Sequence, residues 1–425
     1  MARPLAIASV DLDIAREPLA RPFGFKGRAF HEKWVCRVRL VSESGSKAEG
    51  IGGLAVLWSD EAVFAEHTET GGNLLMAALL ERGLQLAAGR SFDTPQNLLN
   101  ALLPEALAYG RVVTGRPDLR KTFACNALVA LDNAAWRLFA AENGLRRFDE
   151  LIPPASRSAL GRRHRELLSV PTVSYSSPVD EVRRLVAGGH RVLKLKIGAP
   201  GDGEEMLARD KARLSEIHAA VGGPGLPADS GGEGVLYYLD ANGRYETRAQ
   251  VEELLAAADD LGALGRIVLF EEPFPEDSAE DLRGLPVLFA ADESLHGVGD
   301  MAAKRAQGFG AVALKPAGKT LSLSFAMAAE AERLGMPCFV ADSTCLPRSV
   351  DWNRNVAARL APLPGLDCGL LESNGPESYG ARWDELVAAH PCHPAPWLFR
   401  ENGIYRLDDG FYERGGGIFE ALGTE

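Results

Sequence analysis

Three acidic residues end consecutive apolar segments of this 425-residue chain: Asp240 in YLDANGRY, Glu271 in FEEPFP and Asp292 in AADESL. If these segments are neighbouring parallel strands, their carboxyl groups meet at one rim of the sheet. Three carboxylates at such close range repel one another unless a cation lies between them. Hard oxygen ligands suit Mg²⁺, with Mn²⁺ as the alternative ion. The alternative interpretation, a helix cap or a loop ion pair, explains one of these acids more readily than three in sequence.

Lysines accompany the acids. In VLKLKIG, Lys194 and Lys196 are two residues apart on an apolar segment, so both side chains face the same side of a strand. Lys315, in ALKP, ends a later apolar segment. If the strands form a closed barrel, this segment should lie across the barrel from the segment of Lys194 and Lys196. Burial and a nearby divalent cation both disfavour an ammonium group, so we expect lowered lysine pKa values and general-base chemistry. One base on each side of a substrate could remove a proton from one face and return it to the other.

The elements that must position these residues begin at about residue 170, where short apolar segments alternate with helical stretches. The predicted strands are Pro171–Tyr175, Val192–Ile197, Val235–Asp240, Arg266–Glu271, Val287–Asp292, Ala311–Lys315, Cys338–Asp342 and Gly369–Glu372. The predicted helices between them include Ser177–Ala187, Glu204–Ala220, Thr247–Leu261, Leu321–Leu334 and Asp351–Leu360. Eight such units predict a closed parallel (β/α)8 barrel. An open doubly wound sheet is the alternative, but no GxGxxG motif follows the first strand.

The residues before the barrel have an α+β pattern. Strand-like segments at Leu5–Asp13 and Lys33–Val41 flank a predicted loop, Ala20–Phe30, and helical segments follow at Asn73–Ala88, Thr94–Tyr109 and Cys125–Asn143. A strand-like segment in the tail, Gly403–Leu407, is expected to pack on this N-terminal part. We therefore expect a capping domain of residues 1–165 with 395–425, and a barrel of residues 166–394. The Gly222–Gly234 segment is interpreted as a surface insertion.

Composition excludes several classes of partner. The net charge is −12 and no Lys/Arg-rich run occurs, which disfavours nucleic acid and anionic membranes. No 18-residue apolar run and no signal peptide are apparent, and the six cysteines contain no CxxC pair. These features favour a cytoplasmic protein with buried, reduced thiols.

The motifs KLKIG, LDANG, FEEPF, ADES and the ALKP lysine, in that order, resemble the enolase superfamily, in particular its muconate-lactonising and dipeptide-epimerase branch. The segment ALDNAAWRLFAAENG is similar to the helix that closes the capping domain in those proteins. The resemblance covers nearly the whole chain. It implies a modified (β/α)7β barrel of the TIM type, with an α+β capping domain formed by the N-terminal region and the C-terminal tail.

The resemblance also implies roles for residues. Asp240, Glu271 and Asp292 would be the Mg²⁺ ligands, and Glu272 and Glu293 would orient the ligands or the lysines.

Lys196 and Lys315 would be the two acid/base residues, and Lys194 would neutralise the substrate carboxylate or the enediolate oxygen. Glu372 is similar to a residue that meets the substrate, although it could equally be a solvated loop glutamate. The Arg21–Arg28 stretch, with Phe25 and Lys26, resembles the loop that covers the substrate, with a solvated hairpin as the alternative.

The implied reaction is Mg²⁺-dependent removal of the α-proton of a small carboxylate substrate through an enediolate, which favours a racemase or epimerase. A cycloisomerase or dehydratase would use the same first step. A Schiff-base aldolase and a non-catalytic barrel are more distant alternatives. The seventh strand has no histidine, and the eighth has Glu372-Ser373-Asn374 where dipeptide epimerases have D-x-D, so dipeptide specificity is not implied. Relatives often form even-numbered oligomers, so a homo-oligomer is expected.

Overall fold

The computed structural model describes residues 4–222 and 234–421. The predicted insertion lies outside the described residues, apart from the glycines at its two ends. Within the described ranges, none of the helices has the length and apolar composition needed to cross a bilayer. The six cysteines are all described and form no disulfide with one another; five are buried, and Cys368 is half-buried, contrary to the prediction that all are buried.

Fourteen strands and sixteen α-helices are present in the described ranges. The strands are β1 Leu5–Phe25, β2 Arg28–Ser42, β3 Lys47–Leu54, β4 Ser91–Phe92, β5 Glu166–Val170, β6 Thr172–Val173, β7 Val192–Lys196, β8 Leu236–Asp240, β9 Ile267–Glu271, β10 Phe289–Ala291, β11 Ala311–Leu314, β12 Cys338–Val340, β13 Gly369–Glu372 and β14 Ile404–Arg406. The helices are α1 Val56–Ser59, α2 Glu61–Ala87, α3 Pro95–Thr114, α4 Lys121–Ala127, α5 Val129–Asn143, α6 Phe148–Leu151, α7 Val179–Ala187, α8 Gly203–Val221, α9 Arg248–Asp260, α10 Val298–Gln307, α11 Pro316–Lys319, α12 Leu321–Arg333, α13 Pro347–Ala357, α14 Gly375–Tyr379, α15 Ala381–Ala388 and α16 Asp409–Arg414.

The strands from β5 to β13 form a closed parallel barrel. β5 pairs with β13 and β6 pairs with β7, while the strands between them pair in sequence order. β5 and β6 are two halves of one extended segment that is interrupted at Pro171, which has no N–H to continue the ladder. This segment joins the first and last strands, so the barrel prediction is confirmed and the open-sheet alternative is wrong.

Two details of the barrel differ from the sequence prediction. The first strand begins at Glu166, before the predicted Pro171–Tyr175. The connection from β9 to β10, residues 272–288, contains no helix, so the expectation of a helix after every strand is wrong here. Three prolines in this connection, Pro273, Pro275 and Pro286, oppose a regular helix.

The capping domain is built on an antiparallel sheet of order β3-β2-β1-β4. The predicted loop Ala20–Phe30 is wrong, because β1 and β2 continue through it as a hairpin in which Phe23 pairs with Phe30. Lys26 and Gly27 form a two-residue turn with φ of 48° and 75°, as a tight hairpin with matching strand twist requires. Three side-chain contacts tie this hairpin to the barrel: Arg21 to Glu181 at 2.9 Å, Arg382 to Glu17 at 2.9 Å, and Lys33 Nζ to the Ser343 carbonyl at 2.7 Å.

The C-terminal tail contacts both the barrel and the capping domain. Its strand β14 pairs antiparallel with β5 of the barrel, instead of packing on the capping domain as expected. The edge of β5 offers unpaired backbone groups that β14 can satisfy. Further along, Arg137 of α5 donates to the carbonyl oxygens of Phe419 and Glu420, at 3.3 and 2.8 Å.

Helix α5, which contains the ALDNAAWRLF segment, joins the capping domain to α12 of the barrel. The Asp132 carboxylate accepts hydrogen bonds from the backbone N–H and the hydroxyl of Ser322, and Trp136 Nε1 donates to the same hydroxyl at 2.9 Å. Burial raises the pKa of Asp132 to about 6, although the Ser322 hydrogen bonds oppose the shift. The junction therefore contains an acid that takes up a proton at a higher pH than an ordinary aspartate does.

Replacing Asp132 by Asn is expected to remove one source of pH-dependent stability. The raised pKa means that the stabilising contribution of Asp132 is fully present below about pH 4 and is lost as the pH rises through about 6. The difference in unfolding free energy between wild type and Asp132→Asn should therefore fall by up to roughly 3 kcal/mol between pH 4 and pH 7, and then stay constant. Chemical denaturation at several pH values measures it. An unchanged difference across this range would contradict the assignment.

Candidate active site

The predicted charges lie next to one another at the carboxyl ends of the barrel strands. Lys196 is opposite Asp240 in the β7–β8 pairing, and Asp240 is opposite Glu271 in the β8–β9 pairing. β10 and β11 end immediately before Asp292 and Lys315. All of these side chains are buried, which makes their mutual contacts the dominant electrostatic interactions of the barrel mouth.

Lys194 lies at the centre of a group of carboxylates. Its Nζ is 2.8 Å from Asp240 Oδ2, 3.0 Å from Glu271 Oε2 and 3.0 Å from Glu372 Oε2. The same ammonium lies 4.7 Å from the ring centre of Tyr238. This arrangement neutralises part of the charge of three acids from three different strands.

Lys196 has a smaller set of partners. Its Nζ donates to Asp240 Oδ2 at 2.6 Å and to Asn242 Oδ1 at 2.5 Å, and it lies 5.7 Å from the Phe25 ring centre. Asp240 Oδ2 therefore contacts two ammonium groups. Burial would raise the pKa of Asp240, but Lys194 and Lys196 outweigh it and lower that pKa to about 2.

Lys315 approaches the cluster from the opposite side. Its Nζ forms an ion pair with Asp292 Oδ2 and lies 4.5 Å from the ring centre of Trp58, which belongs to the capping domain. A second ammonium, that of Lys319, is 3.1 Å from Asp292 Oδ1. Sequence reasoning missed Lys319 and Trp58. The four-residue spacing of Lys315 and Lys319 in KPAGK was the available signal, since it places both on one face of a helical turn.

Three buried acids could share a cation. Carboxylate oxygens of Glu271, Asp292 and Glu293 lie within 4.8 Å of one another. Glu271 Oε1 and Glu293 Oε2 accept no hydrogen bond from the described residues. Burial raises the pKa of Glu271 to about 8, and the charges of Asp292 and Glu293 add to this against the opposing effect of Lys194. Mg²⁺ prefers hard oxygen ligands, and buried carboxylate oxygens that accept no hydrogen bond are free to bind it. These residues therefore fit the ion.

The composition of this cluster differs from the predicted ligand set in one residue. Glu293, expected in a supporting position, takes part in the close group, whereas Asp240 is engaged by the two lysines of β7. Asn242 Nδ2 donates to Glu293 Oε1 at 3.2 Å and so connects the two sets.

Glu272 supports the segment that carries Asp292. Its Oε2 accepts the backbone N–H groups of Asp292 at 2.6 Å and Ser294 at 3.3 Å. Glu272 has a φ of 42°, an unusual conformation for a residue with a side chain. Burial raises the pKa of this carboxyl to about 8, with the charge of Glu293 adding to it.

The lowered lysine pKa values expected beside a divalent cation stay a prediction; the protein's own groups shift the pKa values of Lys194 and Lys315 in the opposite direction. Burial lowers the pKa of each, but the adjoining carboxylates outweigh burial and raise both values above the ordinary lysine value. Asp240 contributes most to the rise for Lys194, and Asp292 contributes most for Lys315. Each ammonium contacts a carboxylate directly, and that pairing stabilises the charged form.

Glu372 is a buried member of the site, so its interpretation as a solvated loop residue is wrong. It is 3% exposed, and its oxygens accept from Lys194, from the Thr172 hydroxyl at 3.2 Å and from the Asp342 backbone N–H at 3.2 Å. Asp342 itself accepts backbone N–H groups of its own loop and of Asn374. Asp342 therefore organises the loops at this part of the rim.

Aromatic residues of the capping domain cover the charged cluster. Phe25 lines the cavity together with Phe23, Phe30 and Trp58. The cavity is small: the centre of a water-sized molecule can occupy about 30 Å³ of it. Lys26 points elsewhere: it pairs with Glu61 at 3.4 Å and borders a separate surface pocket.

A second cavity of about 270 Å³ lies beyond Lys196 and Phe23. Its walls come from the end of the hairpin and from the loops after β6 and β13. Polar side chains dominate the barrel side of this wall: Thr172, Ser174, Tyr175, Ser176, Asn374, Glu377 and Ser378. The two cavities share Lys196, so a substrate held at the cluster could extend into this space.

Comparisons with known proteins agree with this architecture. Residues 178–364 match a family model described as enolase C-terminal domain-like. A putative mandelate racemase/muconate lactonizing enzyme from Sorangium cellulosum has a similar structure, with a TM-score of 0.65, 21% identity and coverage of 96% of this chain and 98% of that chain. No curated protein matches the sequence.

Two further proteins with similar solved structures are named for their activities. A dipeptide epimerase from Methylococcus capsulatus, complexed with Mg and L-Arg-D-Lys, has a TM-score of 0.62 and 24% identity, covering 95% of this chain and 97% of that one. An N-succinyl Arg/Lys racemase from Bacillus cereus has a TM-score of 0.63 and 16% identity, covering 88% and 89%. The resemblance to the enolase superfamily that the motifs indicate is thereby confirmed.

Proposed function

The chain matches the enolase superfamily in sequence across its barrel and in fold over nearly its whole length, and from this premise we propose that it is a Mg²⁺-dependent racemase or epimerase of a small carboxylate. One observation carries the proposal. Lys196 is the last residue of β7, and Lys315 directly follows β11. These two strands are four positions apart in a ring of eight strands, so the two lysines approach the acidic cluster from opposite sides.

In this proposal Lys196 and Lys315 are the acid and base on the two faces of the substrate. Each is held by its own acid, Asp240 for Lys196 and Asp292 for Lys315. One lysine removes the α-proton and the other returns a proton to the opposite face. Lys194 neutralises the carboxylate of the substrate.

Asp240, Glu271 and Asp292 are the proposed metal ligands, and Glu272 and Glu293 are their supports. The close grouping of Glu293 with two of these ligands makes it the alternative third ligand. When bound, Mg²⁺ would offset the carboxylate charge that raises the lysine pKa values and would stabilise negative charge on the substrate oxygens. The residues themselves hold and orient the substrate, and the aromatic rings that line the cavity reduce its contact with water.

A cycloisomerase or dehydratase would share the first step, and the presence of lysines on both sides favours proton return over elimination. A Schiff-base aldolase is disfavoured, because its nucleophile is one lysine and the lysine on the opposite side of the cluster would have no role. An aldolase would also leave the buried acids without a role.

Solvent deuterium incorporation tests the proposal. Candidate carboxylates are incubated in D₂O with the protein and Mg²⁺, and loss of the α-proton signal is followed by NMR. We expect exchange with Mg²⁺ and none after chelation, and Lys196→Met/Lys315→Met should lose it entirely. Lys211→Met, which changes a lysine that pairs with Glu253 on the barrel exterior, is the matched control. Exchange at the wild-type rate in the double variant would refute the proposed bases.

A further inference from the structure

Lys319 is a buried cation to which the proposed reaction gives no role. Only 1% of the residue is exposed. Its ammonium donates to the carbonyl oxygens of Asp292, at 2.5 Å, and Leu295, at 3.0 Å, and lies 3.1 Å from Asp292 Oδ1. A buried ammonium is costly unless it is fully paired, and this one is paired entirely to a single short segment, residues 292–295.

The neighbouring Lys315 differs from Lys319 in its surroundings. Both contact Asp292, but Lys315 takes Oδ2 and borders the cavity, whereas Lys319 takes Oδ1 and is not among the described residues that line it. Lys315 also lies closer to the Trp58 ring, at 4.5 Å against 5.9 Å. Lys315 is therefore placed to meet a substrate, and Lys319 is placed to hold Asp292.

The same segment is held from its other side by Glu272. The Glu272 carboxylate accepts the N–H groups of Asp292 and Ser294, while the Lys319 ammonium binds the carbonyl oxygens of Asp292 and Leu295. The donors of this turn thus face the carboxyl oxygen of Glu272, and its acceptors face the ammonium of Lys319. Two buried side chains fix the backbone from which the Asp292 carboxylate projects.

We propose that Lys319 is a positioning residue that fixes the turn of residues 292–295, and with it the direction in which the Asp292 carboxylate projects toward a divalent cation. The proposal rests on the proposed function, in which Asp292 is a metal ligand. It differs from a purely electrostatic role in the sign of its effect. Removing a cation beside the site should tighten binding of Mg²⁺ if charge alone mattered, whereas losing a positioning residue should weaken it.

The test is calorimetric titration of Mg²⁺ into the chelator-treated full chain, with no substrate present. Lys319→Met is expected to weaken Mg²⁺ binding by about 10- to 100-fold, the range typical of residues that orient metal ligands. Lys304→Met is the matched control, because Lys304 is also buried and donates to a main-chain carbonyl, that of Glu276 at 3.0 Å, without contacting Asp292. This control should bind Mg²⁺ as the wild type does.

Asp292→Asn separates the inference from the proposed function. If Asp292→Asn loses Mg²⁺ binding while Lys319→Met binds equally or more tightly than wild type, the positioning role is overturned and the metal site stands. If Asp292→Asn binds normally, the metal site itself is misplaced. Should Lys319→Met fail to fold by circular dichroism, Lys319→Gln, which keeps a donor for the carbonyls, replaces it. In that variant, Mg²⁺ binding equal to or weaker than that of the wild type supports the role, because a donor is kept, and tighter binding overturns it.

Discussion

Lys196→Met and Lys315→Met are each expected to lower the rate of racemisation by about 10²- to 10⁴-fold, the usual contribution of a positioned acid or base. Each variant should still exchange the α-proton of one enantiomer, because the lysine on the other face remains. The enantiomer that still exchanges should differ between the two variants. Chiral chromatography of the product and NMR of the α-proton in D₂O measure the two effects separately.

Lys196→Arg and Lys315→Arg serve as the controls for this result. Arginine keeps the positive charge beside Asp240 or Asp292 but cannot lose its proton near neutral pH. If the lysines act as bases, the arginine variants should be as inactive as the methionine variants. Restored racemisation in an arginine variant would mean that the lysine supplies only charge.

Glu271→Gln and Asp292→Asn are expected to weaken Mg²⁺ binding by more than about 100-fold, beyond the range typical of residues outside the ligand set. Both acids belong to the close carboxylate group, and Glu271 Oε1 accepts no hydrogen bond from the described residues. An amide offers one neutral oxygen in place of a charged pair, so the cation loses most of the attraction. Calorimetric titration of Mg²⁺ measures the affinities.

The same titration decides whether Asp240 or Glu293 is the third metal ligand. Asp240→Asn should show a loss comparable with that of Glu271→Gln if the predicted set is right, and Glu293→Gln should show it if the close group defines the ligands. Glu377→Gln is the control, since Glu377 pairs with Arg400 at 2.8 Å outside the cluster. Normal Mg²⁺ affinity in all four cluster variants would place the metal elsewhere.

The sequence predicts the barrel and its charged rim well because both follow from local patterns. Buried parallel strands are continuous apolar runs, and charges at their ends stand out against them. The two-residue spacing of Lys194 and Lys196 likewise predicts a shared face, and both do contact Asp240. Such features depend on a few neighbouring residues and on one rule of strand geometry.

Other features depend on tertiary contacts that a local pattern does not contain. The glycine and arginine content of residues 20–30 favours a loop, yet pairing with β2 keeps β1 extended to Phe25. The role of Lys319 depends on two carbonyl groups more than twenty residues away in the chain. The raised pKa values of Lys194 and Lys315 depend on direct ion pairs that compete with burial.

The hairpin of β1 and β2 has a consequence for how the cavity responds to salt. Its aromatic end, with Phe23, Phe25 and Phe30, lines the cavity at the charged cluster. The pairing of β1 with β2 is irregular between Pro18 and Phe23, so fewer regular backbone pairs link the aromatic end to the rest of the sheet. The ion pairs Arg21–Glu181 and Arg382–Glu17 fasten the hairpin from the outside. Both ion pairs are partly exposed, so dissolved salt weakens these attachments of the hairpin to the barrel.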